Sequence, residues 1–174
     1  GNADVYYSTG YAIRKGGNFD AKHCANFGSY TGSITFRAAE AYLNYIEASY
    51  ERTGAIDGTA ASYWRAIRTR AHLDTDYNKS IAATHMSEEG KYNWGAYSAG
   101  QLISPTLYNI RRERNCELMA EGFRHMDLKR WRAMDQLIAS PYHIEGFKLW
   151  NTDLPERYAA AGYNLVYDKD PDSN

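Results

Sequence analysis

The sequence predicts a mainly α-helical protein, with helical hairpins joined by long, irregular, aromatic-rich loops. Three observations lead there. Apolar residues recur at steps of three and four through 36–52, 60–71 and 107–138, the period of an amphipathic helix. Capping residues stand where those runs begin and end: Ser33 or Thr35, Asp57, and Ser104-Pro105 at the starts, Gly54 and Gly122 at the ends. The chain also carries 16 tyrosines and four tryptophans, most of them outside the helical runs. The whole is read as one region, 1–174, with a helical scaffold over about 34–139 and irregular flanks at 1–33 and 140–174.

The first flank has no helical period. Tyr6, Tyr7, Tyr11 and Ile13 suggest a short extended piece, and Gly16-Gly17-Asn18 a turn. His23 and Cys24 are adjacent and too few to hold a metal. The strongest helix covers 36–52, where Phe36, Ala39, Leu43, Ile46 and Tyr50 form one stripe. Glu40 and Glu47 lie a heptad apart on its flank, placed to meet arginines of another helix. A second helix opens at Asp57-Gly58-Thr59 and buries Ala60, Trp64, Ile67 and Ala71. The short connection folds the two into an antiparallel hairpin that looks like a tetratricopeptide-type unit. The usual repeat letters are absent and the unit occurs once, so no array is expected.

Residues 74–103 show little periodicity and are expected to form a long loop, a feature that in compact domains usually serves function. Its middle sets Tyr92, Trp94 and Tyr97 among small residues, with Asn93 between them. Such a segment either stacks its rings on the apolar face of a sugar, with Asn93 bonding hydroxyls, or pins the loop to the body. After Ser104-Pro105 come two further helical runs divided by Gly122. Leu107, Ile110, Leu118 and Met119 face the core from the first; Leu128, Trp131, Met134 and Ile138 face it from the second. His125 and Asp127, two apart, do not share a helix face. In the second flank Trp150 is another exposed-aromatic candidate, and Asp168, Asp170 and Asp172 read as a solvated acidic tail rather than a calcium loop, since Ser173 stands where glycine is required.

Glu113, Glu117 and Glu121 recur every four residues and so share a helical stripe. Two of them make a candidate acid/base pair for glycoside hydrolysis. A catalytic acid needs apolar walls that raise its pKa, whereas arginine surrounds these carboxylates in sequence. Ion pairing with Arg111, Arg114 and Arg124, or with cations of another helix, is the expected outcome.

A net charge of −1 and interleaved acids and bases argue against a nucleic-acid partner. No apolar run is long enough to cross a bilayer. Cys24 and Cys116 are too few for a disulfide framework and are expected as free thiols, Cys116 at a helical interface. No nucleophile elbow, phosphate loop or metal spacing is present, so neither cofactor nor metal is expected.

Glu113, Arg114, Glu117, Leu118, Glu121, Gly122, Arg124, Asp127, Leu128, Lys129, Arg130 and Trp131 form a pattern that resembles the signature of the SusD/RagB family. The stretch from Phe36 through Glu40 to Ala48 resembles that family's upstream helix, and Ile67-Arg68-Thr69-Arg70-Ala71 its next helix end. The three blocks fall in the family's order and cover about 34–137. Two departures stand out: His72 occupies the usual turn glycine, and Asn115-Cys116 replaces a commoner pair. The resemblance implies a non-catalytic, lipid-anchored protein of the outer-membrane surface of Bacteroidetes-type cells. Such a protein captures glycans and passes them to a SusC-type TonB-dependent transporter. It also implies a fragment of a longer chain, with the anchor outside it. On that account Glu40, Arg114, Glu117, Glu121, Arg124, Asp127 and Trp131 serve the scaffold, and Trp94, Tyr97, Asn93 and Trp150 are the glycan-binding candidates. Two other expectations stand beside it: a helical-repeat adaptor for proteins, and a glycosidase using Glu117 or Glu121.

Overall fold

The computed structural model describes residues 11, 13–18, 20–23, 27–28, 30, 32, 34–139, 146, 148, 151–160 and 162. The expected strand around Tyr6, Cys24, Trp150 and the acidic tail lie outside the described residues. The chain divides into two compact units, Lys15–His143 and Gly1–Arg14 with Ile144–Asn174. The described part of the latter contains one short helix, Leu154–Ala160, whose Arg157 pairs with the preceding Asp153 at 2.8 Å.

In the larger unit the hairpin forms as its caps dictate. α1 (Ala38–Thr53) ends at Gly54, whose φ of 71° is left-handed and whose N–H bonds the Tyr50 carbonyl. Asp57 opens α2 (Gly58–Arg70): its carboxylate accepts from the Ala60 N–H at 2.7 Å and from the Ser49 hydroxyl at 2.6 Å. One helix's cap is thereby tied to the other helix. Ser49 meets Asp57, while Tyr45 and Tyr42 meet Tyr63, so the two run antiparallel. The start of α1 departs from expectation. Arg37 is its N-cap, extended and without a side-chain cap, and Phe36 stays outside the helix, exposed. Thr35 is not at the capping position, because the helix begins later than the apolar stripe suggests; Ser33 lies outside the described residues.

α5 (Pro105–Glu117) packs across this hairpin. Ser104 accepts from the Leu107 N–H at 3.2 Å and Pro105 takes the first turn, as expected. Tyr50 bonds Ser104, Asn44 accepts from Arg114, and Arg37 reaches Glu117, which makes α5 antiparallel to α1. Leu43 and Ile46 of α1, Ala60, Trp64 and Ile67 of α2, and Ile110 of α5 share one core. Each large aliphatic or aromatic side chain so buried contributes about 1.5–3 kcal/mol. Ala71 is exposed, because α2 stops at Arg70.

Residues 74–103 are not the loop expected. They fold into α3 (Tyr77–Ala82), α4 (Met86–Tyr92), a 3-10 turn (Trp94–Ala96) and a hairpin of β1 (Tyr97–Ser98) with β2 (Gln101–Leu102). Six and seven residues make barely two helical turns, too short for a 3.6-residue period to register. Tyr77 is held by stacking on Trp64, with centroids 4.3 Å apart and planes 5° from parallel.

Beyond α5 the chain turns at 118–122, where Gly122 is left-handed at φ 84° as expected, and enters α6 (Arg124–Arg130). The second run is not one helix. It breaks at Trp131, Arg132 is left-handed at φ 54°, and α7 (Gln136–Ala139) follows. Ile138 is accordingly 92% exposed, against expectation. The break lets Ala133 join Leu128, Trp131 and Trp94 in a second core, whereas in a continuous helix Ala133, two residues after Trp131, would face away from that stripe. Met119 is exposed, and Cys116 is a free thiol that is exposed rather than at a helix interface. Among the described residues no helix is long and apolar enough to cross a membrane.

Candidate functional site: a charged brace, a ring-bearing turn and a groove

The signature carboxylates are engaged by cations, as expected, but by other cations than sequence adjacency suggested. Glu113 accepts from the Trp64 indole at 3.0 Å and from Arg68 at 2.8 Å. Glu117 pairs with both Arg37 and Arg70. Glu121 accepts from Arg37 at 2.8 and 2.7 Å and pairs with Lys15. Lys15 Nζ also donates to the Glu117 and Met119 carbonyls at 2.6 and 3.1 Å, placing a cation at the C-terminal end of α5, where the helix dipole favours it. Bonding from Arg37 holds the Glu121 carboxyl below its ordinary 4.5. A glycosidase acid needs the opposite shift and few cations nearby; Glu121 meets neither condition, and Glu117 sits between two arginines.

Arg114, expected to serve the Glu stripe, instead pairs with Asp127 at 2.8 Å; the two side chains are 5% and 6% exposed. Asp127 also accepts from Arg130 at 2.9 Å. Arg130 donates twice to the buried Glu47, both at 2.7 Å, and the Trp131 indole adds a third bond at 2.6 Å. Glu47 thus meets the signature block as expected. Glu40 is half-buried and has no ion pair among the described residues. No cluster of three metal-ligating side chains occurs among the described residues.

The glycan-binding candidates are placed unequally. Trp94 is 9% exposed and packs with Leu128, Trp131 and Ala133. Asn93 spends both ends of its amide locally: Oδ1 accepts from the Gly95 N–H and Arg124, and Nδ2 donates to Tyr108 Oη. A Cβ on Gly95 would lie 3.1 Å from Asn93 Oδ1 and 3.2 Å from Arg124 Nη1, so any side chain here would press on the Asn93–Arg124 bond and make it give by a few tenths of an ångström. Tyr97 is half-buried beside it, and Tyr92 is the exposed ring of the segment. A grouping that the sequence reading missed lies on the hairpin. Tyr42 and Tyr63 stack at 4.3 Å, and Tyr45 meets Tyr63 edge-on at 5.5 Å. The i, i+3 spacing of Tyr42 and Tyr45 was the available signal.

A groove of about 710 Å³ opens between α1, the β1–β2 turn and the end of α6, a size suited to a small-molecule or sugar ligand. Glu47, Glu51, Arg111, Arg130, Trp131 and Arg132 are among its lining residues. Arg111 is 3% exposed. It donates to the Gly95 and Tyr97 carbonyls and to Ser98 Oγ and lies over the Trp131 ring at 4.7 Å. Burial lowers its pKa to about 10. At the rim the Ala99 N–H bonds the Arg132 carbonyl at 2.9 Å, and both residues are left-handed, at φ 50° and 54°.

Residues 3–165 match the sequence profile of the SusD family. Comparison with curated proteins and with solved structures gave no match. The profile spans nearly all the chain, including every signature residue of the brace. The chain therefore belongs to the SusD family, whose members are generally non-catalytic glycan-binding proteins of the outer-membrane surface associated with nutrient uptake.

Proposed function

We propose that this protein captures oligosaccharides or polysaccharides at the cell surface and delivers them to a SusC-type TonB-dependent transporter. In this reading a lipid anchor outside the present sequence holds it to the outer membrane. The single observation that carries the reading is the family match over residues 3–165. The geometry is in keeping with it. Glu113, Glu117, Glu121, Arg114 and Asp127 are consumed by ion pairs between segments far apart in the chain, which suits a rigid scaffold and leaves cargo recognition to other surfaces. Sugar contact is assigned to the ring-bearing turns. Tyr97 and Trp150 would supply stacking faces, and Asn93 and Trp94 hold the turn that presents Tyr97. Aromatic rings suit this role because they offer an apolar face and a polar edge together.

The test is isothermal titration of the complete protein against a panel of polysaccharides, with outer-membrane pull-down as the partner assay. Binding to at least one glycan, weakened by Tyr97→Ala or Trp150→Ala, and recovery of a TonB-dependent receptor are expected. The absence of heat with every glycan would overturn the capture role. Reducing-sugar release abolished by Glu121→Gln would overturn the non-catalytic one.

A further inference from the structure

Arg111 is a buried cation without a bonded counter-ion. Its acceptors are two backbone carbonyls and a serine hydroxyl, and its Nε has no acceptor at all among the described residues. The nearest carboxylate to it is that of Glu51, at 3.8 Å from Nη2 on a side chain 51% exposed. That is beyond hydrogen-bond length, on a residue free to swing outward. The other carboxylate of the groove, Glu47, is near enough for its charge to favour the Arg111 cation, but its hydrogen bonds go to Arg130 and Trp131. Arg132 also lines the groove and is exposed, with no side-chain partner among the described residues. Its left-handed backbone, at φ 54°, is a strained conformation for a non-glycine residue, of a kind that clusters at ligand sites.

A buried charge is stable only when paired and hydrogen-bonded, and guanidinium groups match the planar oxygens of carboxylates and sulfates. We propose that the groove binds the anionic substituent of a sugar, a carboxylate or a sulfate ester, between Arg111 and Arg132, with Glu51 as the group it displaces. This rests on the glycan-capture reading and narrows it to acidic glycans.

Titration of the full chain with an oligogalacturonide, with its carboxyl-reduced neutral form, and with a sulfated oligosaccharide of equal length tests the inference. The acidic forms are expected to bind roughly tenfold more tightly than the neutral one at low salt, the gap closing as salt screens it. Comparison of the two acidic arms tells carboxylate from sulfate. Glu51→Gln, which removes the competing carboxylate, is expected to tighten acidic binding several-fold, and Arg132→Gln to weaken it; both side chains lie outside the core, so both variants fold. Equal affinity for acidic and neutral forms, or no tightening in Glu51→Gln, overturns the inference while leaving glycan capture intact. If none of these sugars binds and the polysaccharide panel also gives no heat, glycan capture falls. Inorganic sulfate then decides the anion site: stabilisation lost in Arg132→Gln upholds that site, and its absence overturns it.

Discussion

Removing one half of the Arg114–Asp127 pair is expected to destabilise the protein far more than removing both. The two side chains are almost fully enclosed, Nε to Oδ2 is 2.8 Å, and Arg114 Nη1 gives a second 2.8 Å bond to Asn44. Arg114→Met keeps the stem but strands the Asp127 carboxylate in the interior. Breaking a buried pair in this way costs about 3–5 kcal/mol. Asp127 retains Arg130 at 2.9 Å, a side chain 43% exposed, so the loss should fall near the lower end, about 3 kcal/mol. For a chain of this size that is roughly 6–12 °C in Tm. Asp127→Leu strands Arg114 instead and should cost a similar amount. In the double variant Arg114→Met/Asp127→Leu both desolvation penalties vanish together, Arg130 turns to water, and the net cost is about 1–2 kcal/mol. Urea unfolding followed by tryptophan fluorescence reads each species, since Trp131 adjoins the pair in sequence and network. Additive single losses, or an Arg114→Met cost under about 1 kcal/mol, would refute the argument; either result would mean that water reaches the pair and the helices are held by packing alone.

Acid should loosen the brace. Glu121, bonded by Arg37, releases its proton more readily folded than unfolded. Its stabilisation is therefore complete above its ordinary 4.5 and is lost as pH falls through the lower folded value. Arg37→Gln should flatten that acid limb in urea midpoints taken across the range. At the alkaline end Tyr108 is pushed up from 10.0 to about 12 by burial and by its 2.6 Å bond to Glu89. Its contribution is intact below pH 10 and is lost as pH rises toward 12, a decline that Tyr108→Phe should remove, with phenolate absorbance as the check. His72 ends α2 in the left-handed region at φ 56°. His72→Gly should raise stability by about 1 kcal/mol, less a few tenths for the freer unfolded chain; a loss in the unfolding midpoint would show that the imidazole, not the backbone, matters there.

Much of the scaffold was legible in the chain itself. Gly54, Asp57, Ser104-Pro105 and Gly122 set helix ends at or near the places their local chemistry predicts, because a cap depends on backbone groups only a few residues away. The acidic stripe was equally readable as ion-paired, since carboxylates buried near arginine stay charged only with partners. The identity of those partners was not readable. Arg37 and Glu121 stand 84 positions apart, and their meeting depends on α5 crossing the α1–α2 hairpin in one particular register. Short α3 and α4 carried too few turns to show a period, and Trp94 was placed inside by the break after Trp131, which no local propensity marks. The sequence by itself determined the α1–α2 hairpin, α5, the caps at Gly54, Asp57 and Ser104, and the family. The tertiary structure alone decided which charges neutralise one another, which rings are covered, and that Arg111 is buried without a bonded counter-ion. Helix ends answer to near neighbours along the chain, whereas charge pairing and burial answer to neighbours in space.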